Sequence, residues 1–321
     1  MTEANAFAAT PAASWRDYLQ LMKPRVMSLV VFTALTGLVC SGAAMNPWLA
    51  AVAILSIAVG AGGAAALNMA FDGDIDALMR RTKSRPVPAG RVQAADAAAL
   101  GGVLSLFSVA LLGMATNWLA AGLLAFTIAF YALVYTVLIK RRTPQNIVIG
   151  GLAGALPPVV GWAASSGTAP LPAWIMTAII FMWTPPHFWA LSLYTATDYE
   201  RARVPMMPVV RGAASTRRQI LLYSILLVPL GLAPAFTGPG GRLYLAVAGV
   251  GGAIFLALAI RLALSRAGDP AVDEASSRPA GLYDVKAAAR PARDLFAFSL
   301  VYLFGLFAAL LAERLLAGAS P

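Results

Sequence analysis

The sequence predicts an all-α, polytopic membrane protein of nine transmembrane helices, with a cytoplasmic N-terminus and an external C-terminus. Three observations predict it. Hydrophobic residues make up 60% of the 321 residues, charged residues only 12%, and mean hydropathy is +0.75. These are values for a chain solvated by lipid rather than for a soluble globule. Nine apolar runs, at about 28–45, 48–68, 96–116, 118–138, 147–165, 172–193, 218–236, 243–264 and 294–312, each approach the ~20 residues that cross a hydrocarbon core. Finally, all but Arg242 and Arg314 of the 24 Lys and Arg lie in segments that nine spans leave on one side. That bias marks the cytoplasmic face.

Residues 1–27 form a cytoplasmic N-terminal segment, 28–312 a single transmembrane domain and 313–321 an external tail. The segment SWRDYLQLMKPRVMSLV is amphipathic and carries Arg16, Lys23 and Arg25 ahead of the first span. Residues 1–14 hold Glu3 and no Lys or Arg, unlike a transit peptide, and show no cleavable signal. The lone Cys40 excludes a disulfide framework and a thiolate metal site. The net charge of +10 follows membrane topology, so nucleic acid is not an expected partner. A bacterial inner membrane is the simplest location. The external links (41–47, around Asn117, 166–171, 237–242) are short, whereas the inward ones are long and polar. Polar chemistry should therefore open to the cytoplasm. Residues 265–293, with Asp269, Asp273 and Glu274, read as a solvated loop rather than a second domain.

The most informative stretch is NMAFDGDIDALMRRTKSRPVPAGR, residues 68–91. Asn68, Asp72 and Asp76 recur every four residues, and on a helix each such step turns ~40° and rises ~6 Å. The three side chains share one face and Asp74 points away. Two carboxylates and a carboxamide suit a hard cation, and Mg²⁺ is commonly held by one or two carboxylates together with substrate phosphates. Charge within a membrane helix costs roughly 2.5–3.5 kcal/mol, which weighs against a merely solvated helix end. Of the nearby cations, Lys83, Arg85, Lys23 and Arg201 are the choices for phosphate.

A second stretch, TATDYERARVPMMPVVRG (195–212), echoes the first: Asp198 precedes Arg201, Arg203 and two prolines as Asp76 precedes Arg80, Arg85 and two prolines. Two such loops over one cavity would supply both halves of a metal–diphosphate site, with Asp198 as a further ligand. His187, the only histidine, lies in WTPPHFWALSLY, where Pro185 and Pro186 remove helix hydrogen bonds and can open a kink. A lone buried histidine is most often a packed core residue. In an aromatic segment it could equally hold a planar aromatic acceptor or its metal. In TPQNIVIGGLAGALPP, Gly150, Gly151 and Gly154 read as a helix-packing face, and Asn146 as facing the same polar space as Asn68.

Together, the Asn-x3-Asp-x3-Asp run at 68–76, RTKSRP at 81–86 and nine inward-opening spans resemble the UbiA superfamily of intramembrane prenyltransferases. LMKPRVMSL (21–29), TPQNIVIGG (143–151), PPHFWALSL (185–193) and VPMMPVV (204–210) resemble its haem-farnesylating branch more narrowly. The likeness covers nearly all of residues 21–310. Two positions depart from that branch: Thr197–Asp198 stands where a pair of Asp is usual, and Arg203 where Gly is usual. The resemblance implies a UbiA-like bundle around a central cavity, farnesyl diphosphate as donor, haem B as acceptor and haem O as product for haem–copper oxidases. It implies Mg²⁺ held by Asn68, Asp72, Asp76 and Asp198. It further implies diphosphate contacts from Lys23, Lys83, Arg85 and Arg201, and a haem contact from His187. Expected partners are membrane lipid and haem A synthase or oxidase assembly proteins. A prenyltransferase for another aromatic or tetrapyrrole acceptor, a membrane transporter and a non-catalytic oxidase assembly factor are the competing readings.

Overall fold

The computed structural model describes residues 13–269 and 287–318. Among these residues all regular structure is helical. A short helix α1 (Trp15–Leu21) leads into α2 (Pro24–Cys40), then α3 (Pro47–Phe71), α4 (Gly73–Leu78) and α5 (Ala94–Ala115). Next come α6 (Trp118–Ala129), continued by a π-helical stretch Phe130–Ile139, then α7 (Asn146–Ala155), α8 (Pro157–Ser166) and α9 (Leu171–Tyr194). The chain ends with α10 (Ala196–Arg201), α11 (Met207–Leu232), α12 (Pro234–Thr237), α13 (Arg242–Ala263) and α14 (Arg290–Gly318).

Local chemistry sets several starts. Pro24, Pro47 and Pro157 open α2, α3 and α8, where their missing N–H groups would be unpaired anyway. Asn46 accepts from Trp48 N–H and Asn117 from Ala120 N–H, and each caps a helix. Trp48, Leu106, Met114 and Val250 project outward from the long helices, as expected where lipid replaces water.

Among the described residues, seven helical segments are long and apolar enough to cross a membrane, or eight if the α1–α2 pair is one bent span. The run predicted at 172–193 is a helix, α9, but lies outside those seven. It carries no charge; Thr184, Pro185, Pro186 and His187 lower its hydropathy. The first span differs from expectation too. Its helix begins at Pro24 rather than 28 and ends at Cys40 rather than 45, and the amphipathic lead-in is bent by 50° at Met22–Lys23. Lys23 takes φ +50°, a left-handed conformation that costs a residue with a Cβ about 1–2 kcal/mol. The C-terminal helix continues to Gly318, well past 312. Of the predicted 265–293 loop, 270–286, including Asp273 and Glu274, lie outside the described residues; 290–293 are helical, and Asp269 pairs with Arg217 at 2.8 Å.

Packing follows the chain: α3 lies along α5, α2 along α8, α9 along α11 and α14, and α13 between α11 and α14. The sequence closes on itself where α14 meets α2, with Phe32 stacked on Phe304 at 4.8 Å. The α2–α8 contact is backbone to backbone. A Cβ on Gly161 would stand 2.0 Å from Ala34 O, and one on Gly37 2.1 Å from Pro158 O, so only glycine permits the approach. The sequence echo also has a structural form: α3 is followed by the six-residue α4, and α9 by the six-residue α10.

Candidate functional site

Asn68, Asp72 and Asp76 are all buried and Asp74 is exposed, as the spacing predicts. The helix itself does not run through them. It stops at Phe71, and Asp72 joins α3 to α4 while still forming helical hydrogen bonds to Asn68 O and from Asp76 N. A bridging network ties the face together. Asn68 Nδ2 donates to Asp72 Oδ2 at 2.6 Å and to Thr136 Oγ1 at 3.0 Å, and Lys23 Nζ donates to Asn68 Oδ1 at 2.7 Å. Lys140 Nζ pairs with Asp72 Oδ2 at 2.5 Å, and Arg85 with Asp76 Oδ2 at 2.6 Å. Two cations thus pair with the two carboxylates, and a third basic group, Lys23, joins through the Asn68 carboxamide. Asp72 Oδ1 is buried and accepts no hydrogen bond among the described residues. Outside this network, Arg141 grips Asp74 through two 2.7 Å bonds and holds its carboxyl below the usual carboxylate range.

The second loop approaches the first through Arg81, which donates to Tyr199 Oη at 3.5 Å. Asp198 is half-buried and stands 3.9 Å from its own Arg201, whose side chain is 53% exposed. Lys83 is exposed and, among the described residues, takes part in no ion pair. Arg203 has φ +53°. The branch that this chain resembles commonly has Gly here, and Gly adopts this conformation without a Cβ penalty.

A cavity of about 610 Å³ lies between α2, α3, α6, α7, α9 and α14. Lys23, Tyr131 and Tyr135 line it, and so do Trp183, His187 and Phe188. It therefore joins the lysine that contacts the acidic cluster to the histidine of α9. Most of its wall is aliphatic or aromatic, suited to an apolar ligand. The helix α9 runs uninterrupted through Pro185 and Pro186. His187 is 7% exposed, stacked between Trp183 (centroids 4.2 Å) and Phe296 (4.7 Å), with Nδ1 2.6 Å from Ser299 Oγ. Of the three glycines read as a packing face, Gly150 abuts the Tyr135 ring and Gly151 abuts Thr184, but Gly154 faces open space and lines the cavity. The smallest side chain there widens the cavity rather than tightening a helix contact.

Several residues in these networks were not singled out from the sequence. Lys140 belongs to a KRR run that positive-inside bias explains equally well, and only folding brings it onto Asp72. Thr136 is placed by the π-helical stretch, where its Oγ1 donates to Tyr131 O five residues back. Asn146 is buried and donates to Lys140 O at 3.1 Å, so it reaches Asn68 only through Lys140 and Asp72.

The UbiA prenyltransferase family model matches residues 30–274. The chain is 64% identical over 310 residues to a protein of Caulobacter vibrioides named protoheme IX farnesyltransferase, covering 95% of this chain and 92% of that one. It is 52% identical over 321 residues to the protein of that name from Hyphomonas neptunium, covering 98% and 96%. Among solved structures, a digeranylgeranylglyceryl phosphate synthase superposes with TM-score 0.72 at 15% identity, over 93% of this chain and 98% of that one. A UbiA homologue of Archaeoglobus fulgidus, bound to DMAPP and Mg²⁺, superposes with TM-score 0.61 at 15% identity, over 91% and 99%. The family match spans most of the helical domain and the relatives align nearly end to end, so this chain belongs to the UbiA prenyltransferase family.

Proposed function

We propose that this enzyme transfers the farnesyl group of farnesyl diphosphate to a vinyl group of haem B, giving haem O and diphosphate. The observation that carries the reading is one cavity joining Lys23 of the polar network to His187, in a chain 64% identical to a protein named for this reaction. We further propose that nine helical segments span the membrane, with the acidic mouth facing the cytoplasm; the distribution of Lys and Arg supports this. The long cytoplasmic connections, the single domain at 28–312 and a bacterial inner-membrane location belong to the same reading.

The polar network fits a divalent metal. Asp72 Oδ1 is an orphaned buried carboxylate oxygen, and the neighbouring donors are hard oxygens of Asp76 and Asn68. Asn68, Asp72 and Asp76 would hold Mg²⁺, with Asp198 contributing from the second loop. When bound there, Mg²⁺ would supply charge neutralisation for the departing diphosphate. The chain's own cations serve the same end. Lys23, Lys140 and Arg85 converge on the cluster, and Lys83 and Arg201 are exposed cations of the two loops. Each lowers the energy of developing negative charge on the leaving oxygen. The allylic cation left behind must meet the acceptor before bulk water does, and the apolar walls exclude water. Attack by the haem vinyl carbon joins the two substrates, and one water then completes the hydroxyethylfarnesyl substituent and releases a proton.

The test is haem extracted from membranes that express the protein, analysed by mass. A farnesyl addition to haem B is expected with wild-type protein. A product on another acceptor, or transport without a covalent product, would reject the reading. Haem A synthase or oxidase assembly proteins would be the receivers of the product.

A further inference from the structure

We infer that Ser299 is a positioning residue that fixes the tautomer of His187, so that Nε2 presents a lone pair to the cavity as an axial ligand for the iron of a porphyrin substrate. The inference rests on the proposed haem acceptor. Its geometry is independent of the acidic cluster.

Ser299 is fully buried on α14, and its hydroxyl has two short neighbours. Oγ donates to Phe296 O at 2.6 Å, and His187 Nδ1 lies 2.6 Å away on α9. A hydroxyl carries one hydrogen. Two oxygens at 2.6 Å repel unless that hydrogen lies between them, so it is committed to the carbonyl. Oγ can therefore only accept from the ring, and Nδ1 must carry hydrogen. In the neutral imidazole the lone pair then belongs to Nε2. Among the described residues nothing else claims that nitrogen. His187 makes its one hydrogen bond through Nδ1, and Nε2 is not among the buried atoms left unpaired, so it opens to space. That space is the cavity which His187 lines and Ser299 does not.

The ring cannot turn away. Trp183 and Phe296 clamp its two faces with interplanar angles of 18° and 24°, and Trp183 Nε1 is itself tied to Ser299 O at 2.7 Å. A buried imidazole that donates one N–H to a fixed oxygen and points the other nitrogen at an open space has the form of a preorganised metal ligand. A histidine serving only as core packing would have no need to leave Nε2 open. An axial bond to iron would fix both the height and the tilt of the porphyrin, and so set which peripheral vinyl can reach the farnesyl carbon.

The test is titration of the purified protein with haem B and with iron-free protoporphyrin IX, read by absorption and electron paramagnetic resonance. Wild-type protein should show an imidazole-ligated haem spectrum. His187→Ala should lose it and recover it on addition of free imidazole. Ser299→Ala should weaken haem B binding about 10-fold or more while leaving protoporphyrin IX affinity within about twofold, and Ser299→Thr, which keeps a hydroxyl, should stay near wild type. Equal loss of both porphyrins in Ser299→Ala would overturn the inference in favour of packing, as would an unchanged haem spectrum in His187→Ala. If wild-type protein still makes haem O in that case, only the ligation falls. If wild-type protein neither binds haem B nor makes haem O, the acceptor assignment falls with it.

Discussion

The loops after α3 and α9 share a sequence pattern and a local shape, a long helix followed by a six-residue one, yet they differ in how they hold charge. After α3, Asp72 and Asp76 are each at most 3% exposed and ion-paired to cations at 2.5 and 2.6 Å. After α9, the Asp198 side chain is 16% exposed, and the cation paired with it among the described residues, Arg201, is 3.9 Å away and 53% exposed. Burial strengthens every electrostatic term because less water screens it. The first loop therefore has a preorganised site, and the second a pair of groups that water can still screen.

The largest effect that would break or sharpen this contrast is at Asp72. Asp72→Ala is expected to lower haem O formation about 1000-fold with the protein still inserted, and Asp76→Ala comparably. The check is turnover of purified variants with Mg²⁺; near-normal activity would remove the metal role. Asp198→Ala should cost less, about 10-fold, with a raised Mg²⁺ requirement as its main sign. A loss as large as that of Asp72→Ala would make the two loops equal partners.

A smaller effect concerns backbone rather than charge. Arg203→Gly should stabilise the detergent-solubilised protein by about 1 kcal/mol, because residue 203 already has φ +53°. Thermal unfolding that is unchanged or lowered would show that the guanidinium contributes more than its conformation costs. The smallest effect is expected at Asp74, the exposed member of the first loop. Its carboxyl is held below the ordinary carboxylate range chiefly by the hydrogen bonds from Arg141. The stability this adds is fully present above the unfolded carboxyl value of about 3.9. It is lost only as pH falls through the lower folded value. Asp74→Asn should therefore change haem O formation less than about twofold at neutral pH, with a stability difference that shrinks in acid. A large loss at neutral pH would place Asp74 in the site with its neighbours.

Much of the site was legible because it is local. The four-residue spacing of Asn68, Asp72 and Asp76 puts them on one face whether or not the helix breaks at Asp72, since the hydrogen bonds continue across the junction. The break itself was not legible, nor was the bend at Lys23, because both depend on what the chain packs against. Lys140 and Asp72 are 68 residues apart, and Ser299 and His187 are 112 apart. Neither Lys140 nor Ser299 sits in a pattern that sets it apart from an ordinary loop cation or an ordinary helix serine.

By itself the sequence determined that the chain is a bundle of apolar helices and which residues could carry charge into it. Hydropathy, helical period and charge bias are properties of neighbours along the chain, so they survive without coordinates. The tertiary structure decided the rest: that Asp72 keeps one oxygen free, that Gly154 opens a cavity instead of closing a contact, and that a buried hydroxyl dictates which nitrogen of His187 is available. Each of these is a property of atoms distant in sequence and close in space, where a single hydrogen or a missing Cβ changes what the site can bind.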